Sequence, residues 1–137
     1  MEEELKKALH NEKNEVLLKY TNKKIKEIKN KVIEDLPIYA KEKSLLKKKL
    51  LNYKFIMNLD ELYEGNYIRW INMEKEELFL TIGGFLVEIQ FSEEGVKILL
   101  KGLNQNIFSI YFDKCILFQK LRNQEIILLK ALDHINS

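Results

Sequence analysis

Residues 78–91 read LFLTIGGFLVEIQF, two apolar runs separated by the pair Gly83-Gly84. Both glycines can adopt positive φ, which the tight turn of a β-hairpin requires, so the pair predicts a hairpin. The odd-numbered residues after the pair are all apolar: Phe85, Val87, Ile89 and Phe91. Because side chains alternate between the two faces of a strand, we expect these four to share the buried face.

Further short apolar runs with turn residues between them lie on both sides of this stretch. Together they give six expected strands: Tyr67–Asn72, Leu78–Ile82, Phe85–Phe91, Val96–Lys101, Asn106–Phe112 and Cys115–Lys120. Short strands at this spacing, joined in sequence order, are typical of a small antiparallel β-barrel or a tightly curled sheet. A C-terminal helix is predicted over residues 123–135, with Asn123 as its N-cap.

The first part of the chain has a helical pattern. Residues 2–36 contain neither Gly nor Pro, and Leu18, Ile25 and Val32 recur at seven-residue spacing with Ile28 between them. This is one apolar helical stripe, which Pro37 interrupts before a second helix to about residue 52. We therefore predict an α+β protein: residues 1–55 form a basic helical arm, as a helix pair or a kinked helix, and residues 56–137 form the β-domain with its C-terminal helix.

Charge divides the chain in the same way. Residues 1–55 carry 15 lysines against nine acidic residues, whereas residues 56–137 carry eight basic against 12 acidic residues. Such asymmetry indicates two surfaces with different partners. Candidate phosphate-binding lysines on the helices are Lys19, Lys23, Lys24, Lys26, Lys29, Lys31, Lys47, Lys48 and Lys49. Residues 1–55 lack Arg, the usual bidentate phosphate ligand, so a solvated helix face is the alternative.

The sequence contains no residue pattern that is typical of a catalytic or metal-binding site. His10 and His134 lie far apart in the sequence, and the one cysteine, Cys115, lies in an apolar run. The carboxylate pairs Asp60-Glu61, Glu76-Glu77 and Glu93-Glu94 fall in predicted turns, with no partner that would tune them as acid and base. We therefore expect a protein that is not an enzyme, with no cofactor, no metal and no small-molecule substrate.

The cysteine content, the first residues and the length of the apolar runs indicate where the protein is located. A lone cysteine cannot form an internal disulfide, so a reducing compartment is expected. The start, Met1-Glu2-Glu3-Glu4, lacks the basic residues of a signal peptide, and no apolar run reaches the ~20 residues that cross a bilayer. We expect an intracellular, cytoplasmic protein with no membrane association.

Aromatic residues and one arginine cluster around Gly65. By strand alternation Tyr67 and Arg69 share one face, while Trp70 lies on the opposite face and is expected in the core. Tyr67 and Arg69 are thus candidate contacts on the β-domain. With the helical stripe, the candidate protein-interaction residues are Leu18, Ile25, Ile28, Val32, Tyr67 and Arg69.

The stretch LYEGNYIRWI (residues 62–71), followed by Gly83-Gly84-Phe85, resembles small uncharacterised proteins of large DNA viruses. In those proteins a Gly-x-aromatic-Ile-Arg-aromatic strand precedes a Gly-Gly hairpin in an SH3-like or Tudor-like barrel. The similarity covers about residues 59–118. It implies a viral accessory or virion component and transfers no catalytic residue.

Two functional hypotheses follow. The first is a structural or interaction protein, for example a minor virion or assembly component, that binds protein partners (capsid proteins among them) through the β-domain and self-associates through the helical arm. The alternative is a nucleic-acid-binding module that uses the lysine-rich helices and the barrel face around Tyr67 and Arg69.

Overall fold

The computed structural model of the protein describes residues 21–136. The predictions for Leu18 and Lys19 lie outside the described residues. The helices are α1 (Asn22–Glu34), α2 (Ala40–Lys49) and α3 (Asn123–Asn136). The strands are β1 (Tyr53–Phe55), β2 (Tyr67–Asn72), β3 (Gly84–Ser92), β4 (Gly95–Lys101), β5 (Ile107–Tyr111) and β6 (Cys115–Lys120). Short 3-10 turns span Leu59–Glu61 and Phe112–Lys114.

One compact unit contains α1 and α3. Thr21 caps α1, since its hydroxyl accepts a hydrogen bond from the Lys24 backbone N–H at 3.1 Å. Ile25, only 5% exposed, packs in a cluster with Leu121, Leu128 and Leu129. This apolar contact joins the two helices, and the C-terminal helix predicted from the sequence is confirmed.

The second compact unit, residues 37–120, contains α2 and the sheet. The division from the sequence differs, because it placed α2 with α1 and placed α3 with the strands. All strand pairs are antiparallel, and the order is β1-β6-β2-β3-β4-β5. The prediction of an α+β protein with a curled sheet of about six strands is confirmed, and the sheet is not closed into a barrel. The expected sequence order is kept from β2 to β5, whereas β6 pairs with β1 and β2 instead of with β5.

The Gly83-Gly84 pair does not form the predicted hairpin. The predicted strand over residues 78–82 is absent, and the sheet has six strands because it includes β1 instead. Strand β3 pairs with β2 only at Tyr67 and Ile68. Gly83 has a φ of +102°, and a Cβ atom there would lie 2.6 Å from the Ile68 carbonyl oxygen. The glycine therefore permits a close backbone approach rather than a reversal of the chain.

The predicted buried face of β3 is also wrong in part. A β-bulge shifts the β3–β4 register between Leu86 and Glu88. Leu86, before the bulge, is buried and Ile89, beyond it, packs against the core, whereas Phe85, Val87 and Phe91 are exposed. An extra residue in one strand reverses the alternation beyond it, and simple period-two counting cannot detect this.

The core of the second unit fills the inside of the curl. Its buried residues are Ile56, Leu62, Ile68, Trp70, Leu86, Ile98, Leu100 and Leu117. Trp70 is 7% exposed, which confirms its predicted place in the core. The rings of Trp70 on β2 and Phe108 on β5 lie 6.4 Å apart. Three strand spacings would separate these strands by ~14 Å in a flat sheet, so the curl brings the rings together.

Candidate binding groove

An open groove of about 400 Å³ lies where β4 ends, within the unit of residues 37–120. We call it the apolar groove. Its side chains come from β2, from the segment 78–83, from the β4–β5 loop and from β5. The apolar ones are Trp70, Phe79, Ile82, Leu103 and Phe108.

Glycines keep the groove open. Gly83 and Gly102 line it, and a Cβ atom on Gly102 would lie 2.8 Å from the Phe108 ring and 3.2 Å from the Asn104 side-chain oxygen. A side chain at position 102 would therefore displace the Phe108 ring. The groove depends on the missing side chain at this corner as much as on the aromatic residues around it.

The wall formed by residues 78–83 is held by side chains of β2. The Arg69 Nε–H donates to the Thr81 carbonyl at 2.8 Å, and the Tyr67 hydroxyl donates to the Ile82 carbonyl at 2.6 Å. Thr81 also bonds Trp70 twice: its N–H donates to the Trp70 carbonyl at 3.0 Å, and its hydroxyl accepts from the Trp70 N–H at 3.2 Å. These bonds satisfy backbone groups that no regular ladder covers.

Tyr67 and Arg69 are thus beside the groove but do not line it. Tyr67 also stacks edge-on against Phe85, with ring centroids 5.0 Å apart. The sequence indicated both residues as direct contacts, and the structure shows them bracing the wall of the groove. In the stretch 78–82, which was predicted as a strand, the side chains of Tyr67 and Arg69 therefore bond the backbone carbonyls of two residues.

Four large apolar side chains of the groove are exposed to solvent. The exposed fractions are 76% for Ile82, 68% for Leu103, 53% for Phe79 and 44% for Phe108. Single exposed apolar residues are common on protein surfaces, but a contiguous set around a concavity is typical of a binding site. Sequence reasoning missed this set, although Leu103, an apolar residue within the predicted turn 102–105, was an available signal.

Three of the candidate interaction residues lie on α1. The side chain of Ile25 is buried within its own unit, in the cluster described above. Ile28 and Val32 are half-buried. Leu18 lies outside the described residues. The described part of the helical stripe therefore serves first to hold α1 in place.

The candidate phosphate-binding lysines within the described residues lie on α1 and α2. Lys23, Lys24, Lys26 and Lys31 are exposed on α1, but Lys29 is buried, and desolvation, aided by the nearby charge of Lys26, lowers the pKa of Lys29 to about 8. Lys47, Lys48 and Lys49 form the last turn of α2, where positive charge is favourable to the helix dipole. Nucleic-acid binding by these lysines stays a prediction.

A buried polar cluster fixes the chain before β2. The Glu61 side chain is paired with the Lys54 ammonium, and its other oxygen accepts hydrogen bonds from the Met57 and Asn58 N–H groups at 2.8 and 2.7 Å. The Gln119 amide donates to the Glu61 carbonyl at 2.8 Å. Every oxygen of the Glu61 carboxylate is thus engaged within the unit, so this carboxylate is a structural group.

The thiol of Cys115 is partly buried on β6. Burial, with the nearby Glu74 and Asp113 carboxylates, raises the pKa of the Cys115 thiol to about 11, which suppresses the nucleophilic thiolate. Within residues 21–136, no group of three or more His, Cys, Asp and Glu side chains could hold a metal ion. In the same range, no helix is long and apolar enough to span a bilayer.

Comparison with protein-family models, with curated proteins and with solved structures finds no match to this chain. The resemblance of residues 59–118 to small viral proteins is therefore still a prediction. The geometry of the apolar groove is the firmest basis for a functional argument.

Proposed function

We propose that this chain is a non-catalytic interaction protein whose sheet unit binds a protein partner by accepting an apolar side chain of that partner into the apolar groove. One observation carries the proposal: a concavity of about 400 Å³ whose apolar lining is exposed. Burying one such aromatic or aliphatic side chain contributes ~1.5–3 kcal/mol, so a partner that covers several of them gains useful affinity.

The polar atoms of the groove favour a protein partner over a small polar molecule. The Thr81 hydroxyl is occupied by the Trp70 N–H, and its carbonyl by Arg69. Sites for small polar ligands usually present several converging polar groups. Here the lining is mainly apolar, with Asn104 and Thr81 as its polar members, which is typical of a hot spot that receives an anchoring side chain.

The test starts from random linear peptides displayed on phage and selected on the immobilised full chain. Binding of the enriched peptides is then measured in solution by fluorescence of Trp70, the only tryptophan, which lines the groove. Phe79→Ala and Phe108→Ala should each weaken binding about tenfold or more, since a lost aromatic contact is worth ~1.5–3 kcal/mol.

Phe91→Ala is the matched control, because Phe91 is a 75% exposed phenylalanine of the same sheet that does not line the groove. It should leave the affinity within about twofold. The proposal is refuted if no peptide is enriched, or if the enriched peptides bind the Phe79→Ala and Phe108→Ala variants as well as the wild type.

The proposal has two finer parts. Self-association through α1 is supported by Ile28 and Val32, which are only half-buried. A role as a minor virion or assembly component is supported by the resemblance of residues 59–118. Light scattering after size-exclusion chromatography, with and without purified capsid proteins, tests both, and a strict monomer that binds no capsid protein contradicts them.

A further inference from the structure

The last strand of the sheet, β5, has a free edge. Among the described strands β5 pairs only with β4, and its sequence Ile107-Phe108-Ser109-Ile110-Tyr111 contains no charge and no proline. Natural proteins protect edge strands by short length, lysine, proline or a covering segment. The opposite edge follows this rule, because β1 has three residues and includes Lys54. In β5, Ile107 is 57% exposed, and no segment within residues 21–136 pairs with this edge.

The free edge and the apolar groove meet at Phe108. Phe108 lies opposite Leu100 in the β4–β5 ladder and therefore shares the concave face with it, and its ring also lines the groove. A strand added beside β5 would run ~4.8 Å away and place every second side chain on that same face. One extended segment could thus pair with the edge and insert a side chain in the groove.

Charge on the convex face favours a particular occupant. Lys101 lies opposite Ile107 and Lys97 opposite Tyr111, and the Lys114 ammonium lies 5.0 Å from the Tyr111 ring. Against these three ammonium groups stands the Glu94 carboxylate, which accepts a hydrogen bond from the Tyr111 hydroxyl at 3.2 Å. Two copies of β5 paired with each other would add the same positive charges from both sides. A segment that carries carboxylates near its apolar residues is attracted instead.

We propose that the partner segment is an extended, acidic peptide strand that pairs with the free edge of β5 and places one aromatic or branched side chain in the apolar groove. This inference rests on the function proposed above and adds the conformation and charge of the ligand. Backbone pairing supplies affinity and the groove supplies selectivity, as in other cases of strand addition.

The test uses the phage-selected peptides, resynthesised with a single N-methyl group at each backbone amide in turn. If the peptide is a strand on β5, methylation at every second residue should weaken binding about tenfold, and methylation at the intervening residues should have little effect. Lys101→Glu should weaken acidic peptides several-fold at low salt, an effect that added salt reduces.

The outcomes separate the two proposals. A peptide that needs Phe108 but tolerates N-methylation at every position overturns strand pairing and leaves groove binding intact. A peptide that is indifferent to Phe108→Ala overturns both. Light scattering tests the alternative that a second copy of the chain pairs with β5. If the wild type is a dimer and the Phe108→Ala variant a monomer, the edge belongs to a second copy, and the proposal of an acidic peptide is overturned.

Discussion

Replacement of Glu61 by glutamine tests how the buried polar cluster supports the sheet unit. The Glu61 side chain is 2% exposed and the paired Lys54 side chain 8%. Glutamine keeps the size of the side chain, removes its charge and puts an NH₂ donor where one acceptor oxygen stood. Either the Lys54 ammonium or the Met57 and Asn58 N–H groups then face a donor.

The expected loss of stability comes from the buried ammonium of Lys54. Removing one partner of a buried ion pair costs about 3–5 kcal/mol, because the remaining charge is left uncompensated. For a chain of 137 residues this corresponds to a fall in Tm of roughly 10–20 °C. A surface carboxylate would show no such effect, so Asp60→Asn, at the exposed neighbour in the same turn, is the control and should stay within about 0.5 kcal/mol.

The assay is urea unfolding followed by the fluorescence of Trp70, which lies in the core of the same unit. Lys54→Met is combined with Glu61→Gln in a double-mutant cycle. The double variant should be more stable than Glu61→Gln alone, since the methionine removes a buried ammonium that has lost its carboxylate partner. If Glu61→Gln costs less than about 1 kcal/mol, or if Lys54→Met gives no rescue, the cluster does not stabilise the unit as argued.

Three further predictions concern single groups. The folded pKa of Lys29, about 8, lies below its ordinary 10.5, so the native state releases this proton first. The free energy of unfolding should therefore rise with pH from about 8 to about 10.5, by at most ~1.4 kcal/mol per pH unit, and Lys29→Met should flatten the rise seen in urea titrations. Alkylation of Cys115 by iodoacetamide at pH 8 should be about 100-fold slower in the folded chain than in urea, because its pKa is about 11; equal rates would contradict its burial. Gly83→Ala should lower Tm clearly more than Gly65→Ala, since both glycines have positive φ but only Gly83 would place a Cβ against backbone; similar thermal melts would refute the close approach.

The architecture was largely predictable from local pattern. The C-terminal helix follows from its apolar stripe, and the helices before the sheet follow from their composition and from Pro37. Trp70 was assigned to the core by alternation alone. Each of these depends on neighbours within one or two turns or along one strand, and sequence pattern reports such interactions directly.

The candidate site was not predictable in the same way. Phe79 is distant in sequence from Leu103 and Phe108, and the curl of the sheet brings the three to one groove. The bulge at Val87 places Leu86 and Ile89 on the same face of β3, and Gly83 permits a close backbone contact instead of a hairpin. These features depend on strand order and on close approach between segments far apart in the chain.

By itself, therefore, the sequence determined the class of the protein: helices before and after a curled antiparallel sheet, with Trp70 inside. Tertiary structure alone decided that β6 separates β1 from β2, that β5 pairs only with β4 among the described strands, and that Tyr67 and Arg69 bond the carbonyls of the groove wall. The physical reason is that hydrophobic periodicity specifies which face of an element is buried, while pairing between distant strands specifies which surface is left open.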